Sequence, residues 1–453
     1  MTESTAAAPP GAATEAPHLR RVLKVPSLVL FGLAYMVPLT VFTTFGPVDK
    51  ITDGHVPGAY VLTLAAMMFT AISYGRMSRR YPVAGSAYTY TQQSFGGSVG
   101  FLAGWALLLD YILLPMINYL VIGLYLNESF PAVPQAVWVI AAIVLVTVLN
   151  VLGIKSVARI NFVLVAAQAI FIVVFVALAI RFLVGGTLPS MSAPFVDSGT
   201  SFGSLATGAS VLCLSFLGFD AVSTLSEEAR NPRKDIPRAI LATTIAGGVV
   251  FILLSYVATL VVPDWHSFTD VDTASLDVMK AIGGAAFTSF FTAAYIGGAS
   301  ASALASQASV SRILYTMGRD RVLPESFFGR LNPRFGSPAN AAVLVGVISL
   351  AALFISLDVA ASIISFGALV AFSCVNLSVI KSHAIDGRDW RGRALIPHIV
   401  LPVIGFALTV WLWTSLPKDS LIVGLCWAFV GACYLLWLTR LFRRPTPTME
   451  LAE

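Results

Sequence analysis

Residues 208–240 read GASVLCLSFLGFDAVSTLSEEARNPRKDIPRAI, an apolar helical run that softens at Ser215 and Gly218 and then carries a carboxylate, Asp220, still within the hydrophobic stretch. An ionisable group at bilayer depth is costly and calls for a compensating role. Backbone released from the helix ladder is tolerated in a membrane only where protein or a wet cavity satisfies it. The pattern predicts a broken transmembrane helix whose gap forms part of a ligand site.

The rest of the chain supplies the setting. Its 453 residues are 57% hydrophobic and 11% charged, with a mean hydropathy of +0.83, whereas soluble domains carry about a quarter charged residues. Twelve windows between 26–48 and 420–439 have the apolar length of a membrane span, which is ~20 residues. The expected architecture is an all-α, twelve-span integral membrane protein: a disordered tail over 1–22, a transmembrane domain over 23–443 and a short tail over 444–453. Cys213, Cys374, Cys426 and Cys433 lie in apolar runs without metal or disulfide spacing, so they read as small buried side chains. No nucleotide loop, metal motif or Ser-His-Asp set stands in a plausible context, which argues against an enzyme, a cofactor, a metal centre and nucleic-acid binding.

Basic residues set the orientation. With the N-terminus inside, 24 of the 28 lysines and arginines fall on the cytoplasmic side, and Lys50, Arg181, Lys280 and Lys418 fall outside. Such alternation predicts cytoplasmic termini. The outer face then holds ten acids, among them Asp49, Asp53, Asp197 and the run Asp264 to Asp277, against four bases. Either this face steers cations inward, or basic residues are simply kept off it by the insertion rule.

Pro38, in GLAYMVPLTVFTTFG, interrupts the first span much as Gly218 interrupts the sixth. Two five-helix units, about 26–184 and 204–380, therefore suggest an inverted repeat with both breaks at the midplane and the last two helices (about 396–439) outside it.

Only Asp110 and Asp220 are expected deep in the spans, with no lysine or arginine at similar depth. A carboxylate so placed picks up a proton or waits for a cation. Both outcomes suit proton-coupled transport of an organic cation with one or two ammonium groups. A zwitterionic amino acid is also accommodated, because exposed amides at the helix breaks can hold its carboxylate. The alternative for either acid is a structural hydrogen bond, for Asp220 from Ser223 or Thr224. Tyr35, Phe42, Tyr111, Phe216 and Phe219 stand near the breaks, where a ring face can meet an ammonium group or merely fill a helix contact. In the eighth span GGASASALASQAS permits close helix packing; Ser302, Ser306 and Ser309 alternatively offer oxygens to sodium, and Gln307 is a candidate to face the site.

The stretches SFLGFDAVSTLSEEARNPRKDIPRAI, YPVAGSAYTYTQQSFGGSVGFLAGW, NVLGIKSVARIN and SRILYTMGRDRVLPESFFGRLNPRFGSPANA together resemble the amino acid, polyamine and organocation transporter superfamily. GLAYMVPLTVFTTFG, ITDGHVPGAY, LLDYILLPMINYL, LGFD and FGALVAFSCVNLSVI look most like its bacterial putrescine importers. The resemblance implies the fold of sodium-coupled leucine transporters, with substrate between helices one, three, six, eight and ten. It implies substrate contact around Met36, Val37, Pro38 and Thr40, with Tyr35 beside them, and from Ser215 and Phe216 to Gly218. It also implies that Asp220 occupies the place of an acid in carriers of cations. Some proton-coupled members carry a lysine where this chain has Gln168, so proton coupling would run through Asp220 or Asp110, with sodium the less favoured ion. The expected function is alternating-access import of putrescine or a similar amine; the alternatives are an amino acid permease or exchanger, and a ligand-binding membrane sensor. The expected partners are a small cationic or zwitterionic substrate and the lipid bilayer, and oligomeric state is not indicated.

Overall fold

The computed structural model describes residues 23–82, 86–152, 157–186, 190–197, 199–226, 228–319, 323–441, 443–444 and 446, the side chains of 157–165 and 316 excepted. The expected tail 1–22, most of 444–453 and Glu227 lie outside them. Among the described residues every regular element is helical, and a lone bridge joins Leu23 to Ala229. Ten helices among the described residues are long and apolar enough to cross a membrane: Val25–Thr52, Val56–Arg80, Gly97–Ser129, Gln135–Leu152, Ala166–Val184, Phe202–Leu225, Pro232–Val261, Leu357–Asp386, Gly392–Thr414 and Lys418–Leu438. Two more helices fill the places expected for spans 8 and 9, residues 285–319 and the shorter Ala339–Leu353. Spans are numbered 1 to 12 in chain order below.

Burial sorts the spans. Span 6 is 83% buried across its apolar window and spans 3 and 10 nearly as much, whereas span 12 is 17% buried. Span 4 turns Val137, Ile140, Val144 and Val148 outward, an apolar stripe at helical spacing that suits lipid and not water. The two most buried windows thus belong to the spans that carry Asp110 and Asp220, whereas that of span 1, which carries the other break, is 33% buried.

Both expected breaks are present, and each has a local cause. In span 1 the helix Val25–Met36 stops at Val37, which adopts a left-handed conformation (φ 49°), and restarts through a short 3₁₀ turn, Pro38–Thr40. Proline has no N–H to continue the ladder, and the Thr40 hydroxyl donates to the freed Met36 carbonyl at 3.2 Å. In span 6 the helix Phe202–Leu212 tightens to 3₁₀ over Cys213–Phe216, extends at Leu217 and turns at Gly218, φ 128°. Beyond the break the chain remains 3₁₀ over Ala221–Leu225. Hydroxyls explain this: Ser223, Thr224 and Ser226 donate to the carbonyls of Asp220, Ala221 and Ser223 at 2.6–2.7 Å, back-bonds that compete with an α-helical ladder. Ser223 thus ties down the Asp220 main chain.

Span 7 starts earlier than the apolar pattern suggests. It begins at Pro232, with Pro237 inside it, because proline fits the first helical position and the Asp235 carboxylate accepts the Asn231 N–H at 3.0 Å. The segment NPRKDIPRAI is therefore the opening of a helix and not only a turn. Gly284, at φ 64°, separates residues 274–283 from span 8.

Candidate functional site

The two breaks touch. A Cβ added to Gly218 would lie 2.8 Å from Tyr35 Cδ1 and 2.9 Å from the Met36 nitrogen, so only glycine lets span 6 close against span 1 here. Beside this contact a cavity opens between spans 1, 3, 5, 6 and 8. Tyr35, Met36, Val37 and Thr40 border it from span 1, Asn118 from span 3, Gln168 from span 5 and Ser302 from span 8. It holds about 60 Å³, whereas one water needs roughly 10–15 Å³, so it takes on the order of five water-sized groups, close to the heavy-atom count of a short diamine.

Asp110 and Asp220 lie beside the cavity without lining it. Asp110 is 5% exposed, and its Oδ1 is buried with no hydrogen-bond partner. Asp220 accepts the Gly218 N–H at 3.1 Å through Oδ1, so the glycine turn fixes the carboxylate. The two acids are within electrostatic reach of each other. Both also act on Tyr35 and Tyr111, and Tyr35 borders the cavity. Tyr35 thus connects the cavity to the acid pair. Gly367 of span 10 packs against the Ala106 carbonyl, where an added Cβ would approach to 2.5 Å, which brings a third helix close to Asp110. Such an arrangement offers negative charge, phenolic oxygens and ring faces to a cation, and among the described residues no lysine or arginine is fully buried to compete.

The other expected site residues are dispersed. Pro38 shapes the break but does not line the cavity. Ser215 is buried, its hydroxyl 2.9 Å from Tyr60 Oη, and Phe216 packs edge-on against Phe251. Phe42 belongs to a cluster with Phe171, Phe175 and Phe291. Ser302 borders the cavity and accepts from Asn118 Nδ2 at 3.2 Å, while Ser306 donates to the Ser302 carbonyl at 2.7 Å.

Gln307 sits away from the cavity at a junction of spans 3, 4, 8 and 9. Its Oε1 accepts from Tyr119 at 2.9 Å and Asn150 at 3.3 Å, and its Nε2 donates to Thr147 and the Ala342 carbonyl, both at 2.9 Å. The Gln307→Leu variant strands several buried partners, so its folding free energy should fall by roughly 2–4 kcal/mol, read as a lower melting temperature in detergent, while the affinity for ligand at the cavity changes little.

Tyr295, Tyr74 and Tyr90 carry no signal strong enough for sequence reasoning. Tyr295 meets the Thr43 hydroxyl across the cavity wall. Tyr74 and Tyr90 face Asp220 electrostatically and pack edge-to-face with each other. Gln168 lies against Gly298 with its Oε1 buried and unpartnered. Asp49, in the last turn of the helix Val41–Thr52, is a further buried acid: it is 0% exposed, and both carboxylate oxygens lack a partner. Outside the spans, burial together with the charges of Asp270 and Asp358, opposed by Lys50, pushes the Asp272 carboxyl up to about 6.

Known proteins are similar to this chain along nearly its whole length. The family model described as amino acid permease matches residues 28–433. The low-affinity putrescine importer PlaP of Escherichia coli K12 is 43% identical over 445 residues, 96% of this chain and 97% of its own. The branched-chain amino acid permease BcaP of Bacillus subtilis is 28% identical, covering 91% of this chain and 92% of its own. The methylthioribose transporter of the same organism is 27% identical, covering 93% and 94%. With twelve spans among the described residues, two of them broken and packed on one another, and a family match along nearly the whole length, the chain is a multi-pass membrane protein that belongs to the amino acid permease family.

Proposed function

We propose that this chain imports putrescine or a closely similar amine across a bacterial inner membrane by alternating access around the broken spans 1 and 6. The observation that carries the proposal is the pair Asp110 and Asp220, in electrostatic reach of each other and of Tyr35, without a fully buried lysine or arginine among the described residues. Buried carboxylates are stabilised by a cation that arrives from outside. Asp220 is assigned the first ammonium group and Asp110 the second, with Tyr35 and Tyr111 offering ring faces and phenolic oxygens. The 43% identity to a putrescine importer supports the same choice of substrate.

The remaining parts follow from charge. Cytoplasmic termini rest on the basic residues of the even-numbered connections, and they put the acid pair inward of the cavity along the substrate path. Proton coupling through Asp220 or Asp110 is the favoured driving force over sodium, since either acid can exchange a proton for an ammonium group. No cofactor has a role in such a cycle.

Competition in proteoliposomes tests the substrate class. Unlabelled diamine should suppress uptake of labelled putrescine at least tenfold more strongly than the matching monoamine, since a second charge-assisted contact is worth about 1.5–3 kcal/mol. Equal potency of the two amines would remove the two-carboxylate assignment. Stronger competition by a neutral or branched-chain amino acid would favour the amino acid permease reading, to which the similarity with BcaP points.

A further inference from the structure

Asn118 holds an oxygen open to the cavity between the breaks. It borders that cavity from span 3, with Leu114 and Ile117 on the same helix and Ser302 on span 8. Its Nδ2 donates to the Leu114 carbonyl at 2.8 Å and to Ser302 Oγ at 3.2 Å. A backbone carbonyl can only accept, so the Leu114 contact settles which end of the amide is nitrogen, and the two bonds use both of its hydrogens. The oxygen is left over. Among the described residues Asn118 Oδ1 has no hydrogen-bond partner, yet it is not one of the sealed unpartnered atoms, as Asp110 Oδ1 and Gln168 Oε1 are. Its surface therefore opens on the cavity that Asn118 lines.

Thr40, from span 1, offers a second oxygen of the same kind. Its hydroxyl hydrogen is committed to the Met36 carbonyl at 3.2 Å, and the residue borders the cavity, so its lone pairs remain for a ligand. Both atoms can accept a hydrogen bond, and neither has a hydrogen to give. No acid or base lines this cavity, so selection here rests on hydrogen bonds. A primary ammonium, with three N–H donors, matches such oxygens through charge-assisted bonds. Asp110 stands on the same helix eight residues before Asn118, a rise of roughly 12 Å. One ammonium group cannot touch both residues, whereas a diamine has an ammonium for each.

We propose that Asn118 is a specificity-determining residue: together with Thr40, its Oδ1 accepts N–H bonds from the trailing ammonium of a diamine whose leading ammonium has reached the acid pair. The trailing group then passes on to Asp110. This inference rests on the substrate reading above and adds the residue that tells a diamine from a monoamine on entry. A monoamine places a methyl group where the second ammonium belongs, which takes water from Asn118 Oδ1 and leaves it unpaired. Sites built to hydrogen-bond a ligand group reject an analogue that lacks it for this reason.

Competition against radiolabelled putrescine bound to the full chain in lipid nanodiscs tests this, with putrescine and butylamine as the two competitors. Binding is read directly, so a variant that no longer transports still reports. Asn118→Leu, close in size and without the oxygen, should weaken putrescine about tenfold and leave butylamine unchanged, so that the preference for the diamine falls about tenfold. Asn118→Ala should lower the preference in the same direction, which serves as the readout if leucine crowds the cavity. Ser302→Ala should keep it, because the Leu114 carbonyl still orients the amide. A merely structural role for Asn118 would weaken both amines alike; an unchanged preference in both Asn118 variants, or an equal fall in Ser302→Ala, overturns the proposal. Equal affinity of the two amines in wild type instead removes the two-ammonium substrate reading, and this inference with it.

Discussion

Asp220→Asn should lower the kcat/KM of putrescine uptake by roughly a hundredfold, about 2.7 kcal/mol, within the 2–5 kcal/mol range for removing one member of a buried charge pair. The substitution isolates charge from shape. Asparagine keeps an oxygen to accept the Gly218 N–H, a bond 3.1 Å long in the native site, so the turn that joins the two breaks persists. What disappears is the negative charge that acts on Asp110, Tyr35 and Tyr111. Initial uptake rates in proteoliposomes measure the effect, with elution as a single monodisperse species showing that the fold is intact. Asp110→Asn should give a smaller loss, because Asp110 is assigned the second ammonium group. Uptake by Asp220→Asn within a few-fold of wild type would sink the assignment of substrate binding to this acid.

Gly218→Ala should nearly abolish transport and lower thermal stability. Two effects combine. At φ 128° an alanine is strained wherever it sits, at a cost of ~1–3 kcal/mol. In addition its methyl group would meet Tyr35 Cδ1 at 2.8 Å, the Met36 nitrogen at 2.9 Å and Met36 Cγ at 3.1 Å. Span 1 must then move away from span 6, and with it Tyr35 leaves its position between the cavity and the acids. Gly284→Ala is the matched control. Its φ of 64° also disfavours a side chain, but a Cβ there meets nothing within 4 Å, so it should cost about 1–3 kcal/mol and leave uptake largely unchanged. Comparable losses in both variants would show that backbone strain alone, and not the contact between the breaks, accounts for the Gly218 effect.

Much of the bundle is legible along the chain because the membrane imposes a local rule. Each span must satisfy its backbone internally and present an apolar surface, so Gln135–Leu152 can be bounded from composition alone. The same rule makes a proline or glycine in such a run conspicuous, which is why Pro38 and Gly218 stand out before any coordinates. Asp220 is legible for a related reason, since its charge contradicts its apolar neighbours. Where local signals compete, the reading fails by a turn or more. Span 7 begins at Pro232, and its proline-initiated first turn, in which Asp235 accepts the Asn231 N–H, has the composition of a loop.

Side-chain direction is a different matter. Gln307, polar amid small residues, has the sequence profile of a site residue, yet its four hydrogen bonds run to neighbouring helices. Asp49 has the profile of a loop acid, four residues before Asp53, yet it is buried with both oxygens unpartnered. Both depend on which helices pack against each face, information that a hydropathy window does not contain.

The sequence by itself determined the helical membrane class, the two interruptions and the presence of unpaired acids, because each follows from the cost of polar groups in hydrocarbon. Only the tertiary structure decided that Gly218 presses on Tyr35 and Met36, that Tyr35 connects the cavity to Asp110 and Asp220, and that Asn118 and Ser302 meet at the cavity. These are contacts between residues far apart in the chain. Packing sets them, and no local propensity encodes which helix face meets which.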